Sequence, residues 1–202
     1  MVAIIDYDAG NVRSVEKAVI SLGAEALITR DPAEINRSDH VILPGVGAFG
    51  DAMGKLERYG LIPVIKEIAK SGKPFLGICL GEQLLFEKSE EAPGVEGLGI
   101  LKGEVKKLSG ADGLKVPNIG WNSLEIRNGG RLFDHIKNGT FVYFVHSYYV
   151  RAEDVSVVTA TIDYGETVDA AVEKDNVFAV QFHPEKSSDD GIKILENFLN
   201  VH

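Results

Sequence analysis

The sequence predicts an α/β fold: a doubly wound, mostly parallel sheet flanked by helices, with an additional antiparallel β section. Three observations predict it. The first half alternates short apolar runs with helix-period segments, the signature of parallel strands joined by right-handed crossovers. The second half is mostly β-like runs separated by turn residues. The chain closes on one amphipathic helix, "SSDDGIKILENFL".

The elements follow in order. "VAIIDY" is an apolar run ending in polar residues and reads as the first strand. "NVRSVEKAVISLG" places Val12, Val15, Val19 and Leu22 at helical spacing, with Gly23 as the stop. "EALIT" and "HVILP" read as buried strands, "DAMGKLERYG" and "LIPVIKEIAKSG" as helices. "PFLGI" is a strand and "LGEQLLFEKS" the helix after it. Beyond residue 99, "ILKGEVKKL", "NSLEIR", "TFVYFVHSYYV", "VSVVTATI" and "VFAVQFH" read as strands. In the last helix, Ile192, Leu195 and Leu199 share a face that Ile194 and Phe198 widen. Sites in open α/β sheets form at the carboxyl ends of strands. Cys79 and His183 both stand directly after a strand signal, so both belong at that edge.

The bulk properties bound the function. A chain of 202 residues with 45% hydrophobic and 25% charged residues suits one soluble domain, expected over residues 1–202. No run approaches the roughly 18 apolar residues of a membrane span. "MVAIIDYDAGN" has no basic flank before its apolar run and reads as a strand, not a signal peptide. The single cysteine forms no internal disulfide, which fits a reducing, cytoplasmic compartment. A formal charge of −9 argues against nucleic-acid binding, which needs a clustered basic surface.

That one cysteine, Cys79, sits at a strand-to-helix junction inside Gly77-Ile78-Cys79-Leu80-Gly81. This is a G-x-C-x-G form of the nucleophile elbow. Flanking glycines let strand and helix approach without Cβ clashes. A sulfur at a helix N-terminus is favoured as thiolate. The Leu80 amide points to the space above it, as an oxyanion donor does. Against this stands the plain alternative that a lone cysteine is an inert core residue.

Downstream, "AVQFHPEKS" places His183 and Glu185 two residues apart at a strand end. Residues i and i+2 of an extended chain face one side, and Pro184 biases His183 to that geometry. A carboxylate beside an imidazole is the base-and-orienter pair a cysteine nucleophile needs. A loop histidine with a solvated acid is the alternative. "LPGVGAFG" again follows a strand, and its Val46 amide can serve as the second oxyanion donor. Phosphate cradling is the rival reading, but a Walker-type loop needs a following Lys-Ser/Thr, and this one continues Ala-Phe-Gly.

Together, "GICLGEQLL", "FHPE" and the glycine-rich strand end resemble the class I (triad) glutamine amidotransferases. "PGVGAF", "LLFEKSEEAPGVEGLGIL", "VPNIGWN" and "YFVHSYY" resemble one branch of that family, the glutaminase subunits of imidazole glycerol phosphate synthases, over essentially the whole chain. The resemblance implies that Cys79 attacks the side-chain amide of L-glutamine, His183 shuttles the proton, Glu185 holds the imidazole, and water cleaves the glutamyl thioester. It implies that the Val46 and Leu80 amides bind the oxyanion. Gly47, Gln83, Glu91, Ser147 and Tyr148 would contact the α-amino and carboxylate groups of glutamine. It implies no cofactor and no metal, and a partner, a (β/α)8-barrel cyclase subunit, that receives ammonia for histidine biosynthesis. Trp121, Asn122 and Lys186 would lie at that interface and tunnel mouth.

Two positions depart from the branch pattern. Glu82 stands where an apolar residue is usual, and a carboxylate beside Cys79 opposes a thiolate, so Glu82 is expected to point outward. Asn118 replaces a frequent histidine. His40 and His135 read as surface residues, and His146 as a structural residue near the substrate pocket. Other readings are a different cysteine hydrolase or amidotransferase subunit on this core, and a non-catalytic binding domain. The vitamin-B6-related branch carries "GGES" at its oxyanion strand, which this chain lacks.

Overall fold

Apolar runs of four to six residues, wholly buried, form the middle of the sheet: β1 (Val2–Ile5), β3 (His40–Gly45), β4 (Phe75–Cys79) and β13 (Val177–Val180). Continuous burial is what a strand covered on both faces requires. The computed structural model describes residues 1–110, 113–127 and 130–202. With β2 (Ala26–Thr29) at the edge, the order β2-β1-β3-β4-β13 is parallel throughout.

Beyond β13 the sheet continues with antiparallel pairings through β12 (Thr167–Lys174), β10 (Tyr148–Ala152) and β6 (Gly103–Lys107), and the short β5 (Lys88–Ser89) joins β6 in parallel. β11 (Val158–Asp163) pairs with β12, and β8 (Glu125–Ile126) pairs with β11. A separate antiparallel pair joins β7 (Asn118–Ser123) to β9 (Phe141–His146). The expected mostly parallel sheet with an antiparallel section is what the chain forms.

Successive residues of β1 divide between the two faces, as the period of two requires. Val2 and Ile4 face α1 (Val12–Ser21) and α6 (Ser188–Leu199), through Val15, Val19, Ile194, Leu195 and Phe198. Ala3 and Ile5 join the opposite core with α2 (Pro32–Arg37), α3 (Phe49–Arg58), α4 (Leu61–Lys70) and α5 (Leu80–Leu84). Among the described residues, no helix is long and apolar enough to cross a membrane.

Several local expectations are corrected. α5 stops at Leu84 instead of running to Ser89. The Leu84 and Leu85 carbonyls, which a longer helix would use, are taken by the amides of Leu98, Ile100 and Leu101 at 2.8–3.0 Å. In α6 the fully buried stripe is Ile194, Leu195 and Phe198, while Ile192 and Leu199 are only partly covered. "NSLEIR" is divided between the end of β7 and β8. α2 and β12 were not foreseen. α2 has a sequence signal: Asp31 caps it by accepting from the Ala33 amide at 2.8 Å, with Pro32 at the first position. His40 is buried, its Nε2 3.0 Å from the Val201 carbonyl, because the chain terminus folds over β3.

Candidate active site

β4 ends at Cys79 and α5 begins at Leu80, with no loop between them. Cys79 therefore takes φ 55° and ψ −111°, a conformation non-glycine residues avoid. The glycines around it are steric necessities. A Cβ at Gly81 would meet the Leu43 carbonyl oxygen at 1.8 Å, and one at Gly77 would meet the Gly81 oxygen at 2.9 Å. Only bare backbone lets the turn close against β3.

β13 delivers His183 to the same edge. His183 follows it in extended conformation and its amide bonds the Tyr143 carbonyl at 3.0 Å. The Ser187 hydroxyl donates to the His183 carbonyl at 2.6 Å and fixes the turn after it. His183 Nδ1 and Glu185 Oε1 are 2.8 Å apart, with both side chains buried. Asn11 reaches the same Glu185 oxygen at 3.4 Å and is itself held by Ser14 at 2.7 Å. His183 Nε2 has no aligned hydrogen-bond partner, so it is free to serve the sulfur. Loose catalytic hydrogen bonds are normal before substrate binds.

Burial alone would lower the pKa of His183. Hydrogen bonding to the Cys79 sulfur and to Glu185, with the negative charge of both, outweighs it and raises the value to about 9. The His183 imidazole is thus biased toward its cation.

Cys79 opens into a cleft of about 310 Å³. Its walls include Val46, Gly47, Leu80, Gln83, Glu91, Ser147 and Tyr148, all singled out from the sequence, together with Pro117, Val145 and His146. Glu91 Oε2 accepts the Phe49 amide at 2.8 Å, which anchors it at the start of α3. Gln83 donates to the Tyr148 carbonyl and to Gln181 Oε1, both at 2.9 Å. Gln181 in turn places its Nε2 3.6 Å from the Cys79 sulfur. Gln181 was missed by sequence reasoning, although its place two residues before His183 in "VQFH" puts it on the same strand exit. Trp121, Asn122 and Lys186 do not line the cleft. Trp121 lies on β7 edge-to-face with Tyr143 of β9, the residue whose carbonyl holds the His183 amide.

His146 is the structural residue expected. Burial lowers its pKa to about 4, and the neutral ring bonds the Tyr148 carbonyl and Asn118. Asn118 is buried, and Asn122 donates to it at 3.2 Å. Glu82 is the clear correction. It was expected to face solvent, yet every residue of α5 is buried, so the helix has no outward side.

Residues 3–201 match the family described as glutamine amidotransferase class-I. The chain belongs to the class I glutamine amidotransferases. The subunit HisH of imidazole glycerol phosphate synthase from Bacillus cereus (strain G9842) is 53% identical over all of this chain and 95% of its own length. HisH from Aquifex aeolicus (strain VF5) is also 53% identical, over 96% of this chain and 94% of its own length. Among solved structures, a glutamine amidotransferase superposes with TM-score 0.75 at 23% identity, covering 98% of this chain and 99% of its own. A chain in the structure of PurLQS from Thermotoga maritima gives 0.77 at 22%, covering 98% and 97%. These two speak for the amidotransferase fold.

Proposed function

We propose that this amidotransferase hydrolyses L-glutamine with Cys79 as nucleophile, His183 as acid and base, and Glu185 as the group that orients the imidazole. The chain is an enzyme of glutamine hydrolysis, and relatives with half its sequence in common are HisH subunits of imidazole glycerol phosphate synthase. Its reaction belongs to histidine biosynthesis. The observation that carries the residue assignment is the buried 2.8 Å His183–Glu185 pair at the strand edge that also bears Cys79; against burial, Cys79 and Glu185 together raise the imidazole pKa to about 9.

The Cys79 thiolate attacks the side-chain amide carbon, and the oxyanion falls between the Leu80 and Val46 amides. His183 gives its proton to the departing ammonia, then takes one from water as the thioester is hydrolysed. Gly47, Gln83, Glu91, Ser147 and Tyr148 hold the α-amino and carboxylate groups, with the Glu91 acid facing the ammonium. The cleft volume suits a single amino acid.

Ammonia passes to a cyclase subunit, a (β/α)8 barrel docked beside the cleft. Support for the docking face is its apolar exposure: Ile119 (62%), Trp121 (48%) and Phe141 (57%) stand out on the β7–β9 pair. Asn122 is on β7 with Trp121, and Lys186 lies in the turn after His183, whose amide bonds Tyr143 of β9. The complex works in the cytoplasm, with no nucleic-acid partner. Glutaminase assays of the chain with and without the cyclase test this reading. Activity that rises with the partner and disappears in Cys79→Ala is expected; full activity in Cys79→Ala overturns it.

A further inference from the structure

Glu82 is an acid in a place that suits no charge. The residue is 0% exposed, and neither carboxyl oxygen has a hydrogen-bond partner. It is the third residue of α5, whose cap is Cys79, whose first residue is Leu80, and whose next residue is Gln83. We propose that Glu82 is a positioning residue for Cys79 that works only while protonated: the neutral acid fills the buried space behind the nucleophile turn, and loss of its proton drives α5 open. This rests on the reading of Cys79 as the nucleophile.

The neighbours leave no alternative that tolerates the charge. α5 packs against β3, β4, β10, β13 and α3. β13 carries no titratable residue, β4 offers only Cys79, and β3 only His40, which is engaged with Val201. β10 carries Tyr148, Tyr149 and Arg151; Tyr149 bonds Glu166, and none of the three bonds Glu82. On α3, Asp51, Glu57 and Arg58 are exposed and Lys55 holds the Asp8 carbonyl. The groups that do act on Glu82 are both acids, Asp169 on β12 and Cys79. Burial first, then Asp169, then Cys79 hold its carboxyl well above the usual carboxylate range.

An unpaired carboxylate cannot stay at such a site. Once ionised, Glu82 must reach water, and a helix of five residues cannot release its third without moving the cap and the first turn. Cys79, the Leu80 amide and Gln83 would lose register together. The opened state carries an ordinary carboxyl and the closed state a raised one. Opening therefore releases a proton, and its equilibrium constant grows about tenfold per pH unit between those two values.

Hydrogen exchange of residues 80–84 in the full chain alone reads this directly, after division by the intrinsic pH dependence of exchange. Between pH 5.5 and 7.5, opening in the wild type should rise about tenfold per unit, and stay flat in Glu82→Gln. Glu82→Met provides a second neutral side chain should the amide fail to fold. A pH-independent difference between wild type and both variants would mean that Glu82 only fills space, and would overturn the proposal. Exchange needs no partner and no glutamine, so its outcome is independent of the assay of the proposed function.

Discussion

At the residue scale, the site is a matter of where two acids sit relative to one imidazole. Glu185 lies against Nδ1 of His183 and stabilises its cation. Glu82 is wholly buried in the helix that Cys79 caps, with nothing to stabilise its anion. The consequence for pH dependence has a definite sign. The folded His183 pKa, about 9, lies above its ordinary 6.5. Its stabilising contribution is therefore complete below about 6.5 and is lost as pH rises through about 9. Cys79→Ser removes the charge partner, so thermal melting of that variant should fall less between pH 7 and pH 10 than that of the wild type. Equal losses in the two proteins would detach His183 from the sulfur. Cys79, His183 and Glu185 were legible as candidates from the sequence because strand ends and flanking glycines leave local marks. Glu82 and Gln181 were misread or missed because their meaning lies in which side of α5 or β13 is covered, a tertiary property that no spacing encodes. His40 was misread for the same reason: only the folded terminus buries it.

At the element scale, the β4–α5 junction holds Cys79 in its strained conformation, and β3 fixes how closely it packs. A methyl group at Gly81 would overlap the Leu43 carbonyl. Gly81→Ala should cost about 3 kcal/mol, the upper end for overpacking a tight core, seen as a lowered melting temperature. It should also lower activity in the folded fraction, because Leu80 and Gln83 shift with it. A variant as stable as the wild type would show that the turn has slack. β1, β2, β3 and β4 were readable as apolar runs between helical periods, whereas β13 read only as one of the second-half β runs and its parallel place beside β4 comes from the fold. α5 was overextended because "LLFEKS" keeps helical character locally, while the 98–101 segment takes its carbonyls. β12 escaped notice since "TVDAAVEK" mixes small and charged residues, and only its partners β10, β11 and β13 make it a strand.

At the scale of the whole molecule, the sheet edge gathers residues from distant parts of the chain into one cleft, and the β7–β9 pair sets an apolar face beside it. That face is the proposed docking site of the cyclase subunit. Trp121→Ala should weaken association with the cyclase by about 2 kcal/mol, a loss typical of a central aromatic anchor. The fold of the isolated chain should be unchanged, since Trp121 packs on Tyr143 at the surface and not in either core. Unaltered binding would place the partner elsewhere.

The central claim is that Cys79 is the nucleophile that takes the γ-glutamyl group, with His183 as its proton carrier. Covalent capture by an electrophilic glutamine analogue in the presence of the cyclase, mapped by peptide mass spectrometry, tests it most directly. One adduct on Cys79, blocked by excess glutamine and at least about a hundredfold slower in His183→Ala, is the predicted result. No adduct on Cys79, or an adduct at another residue, would contradict it.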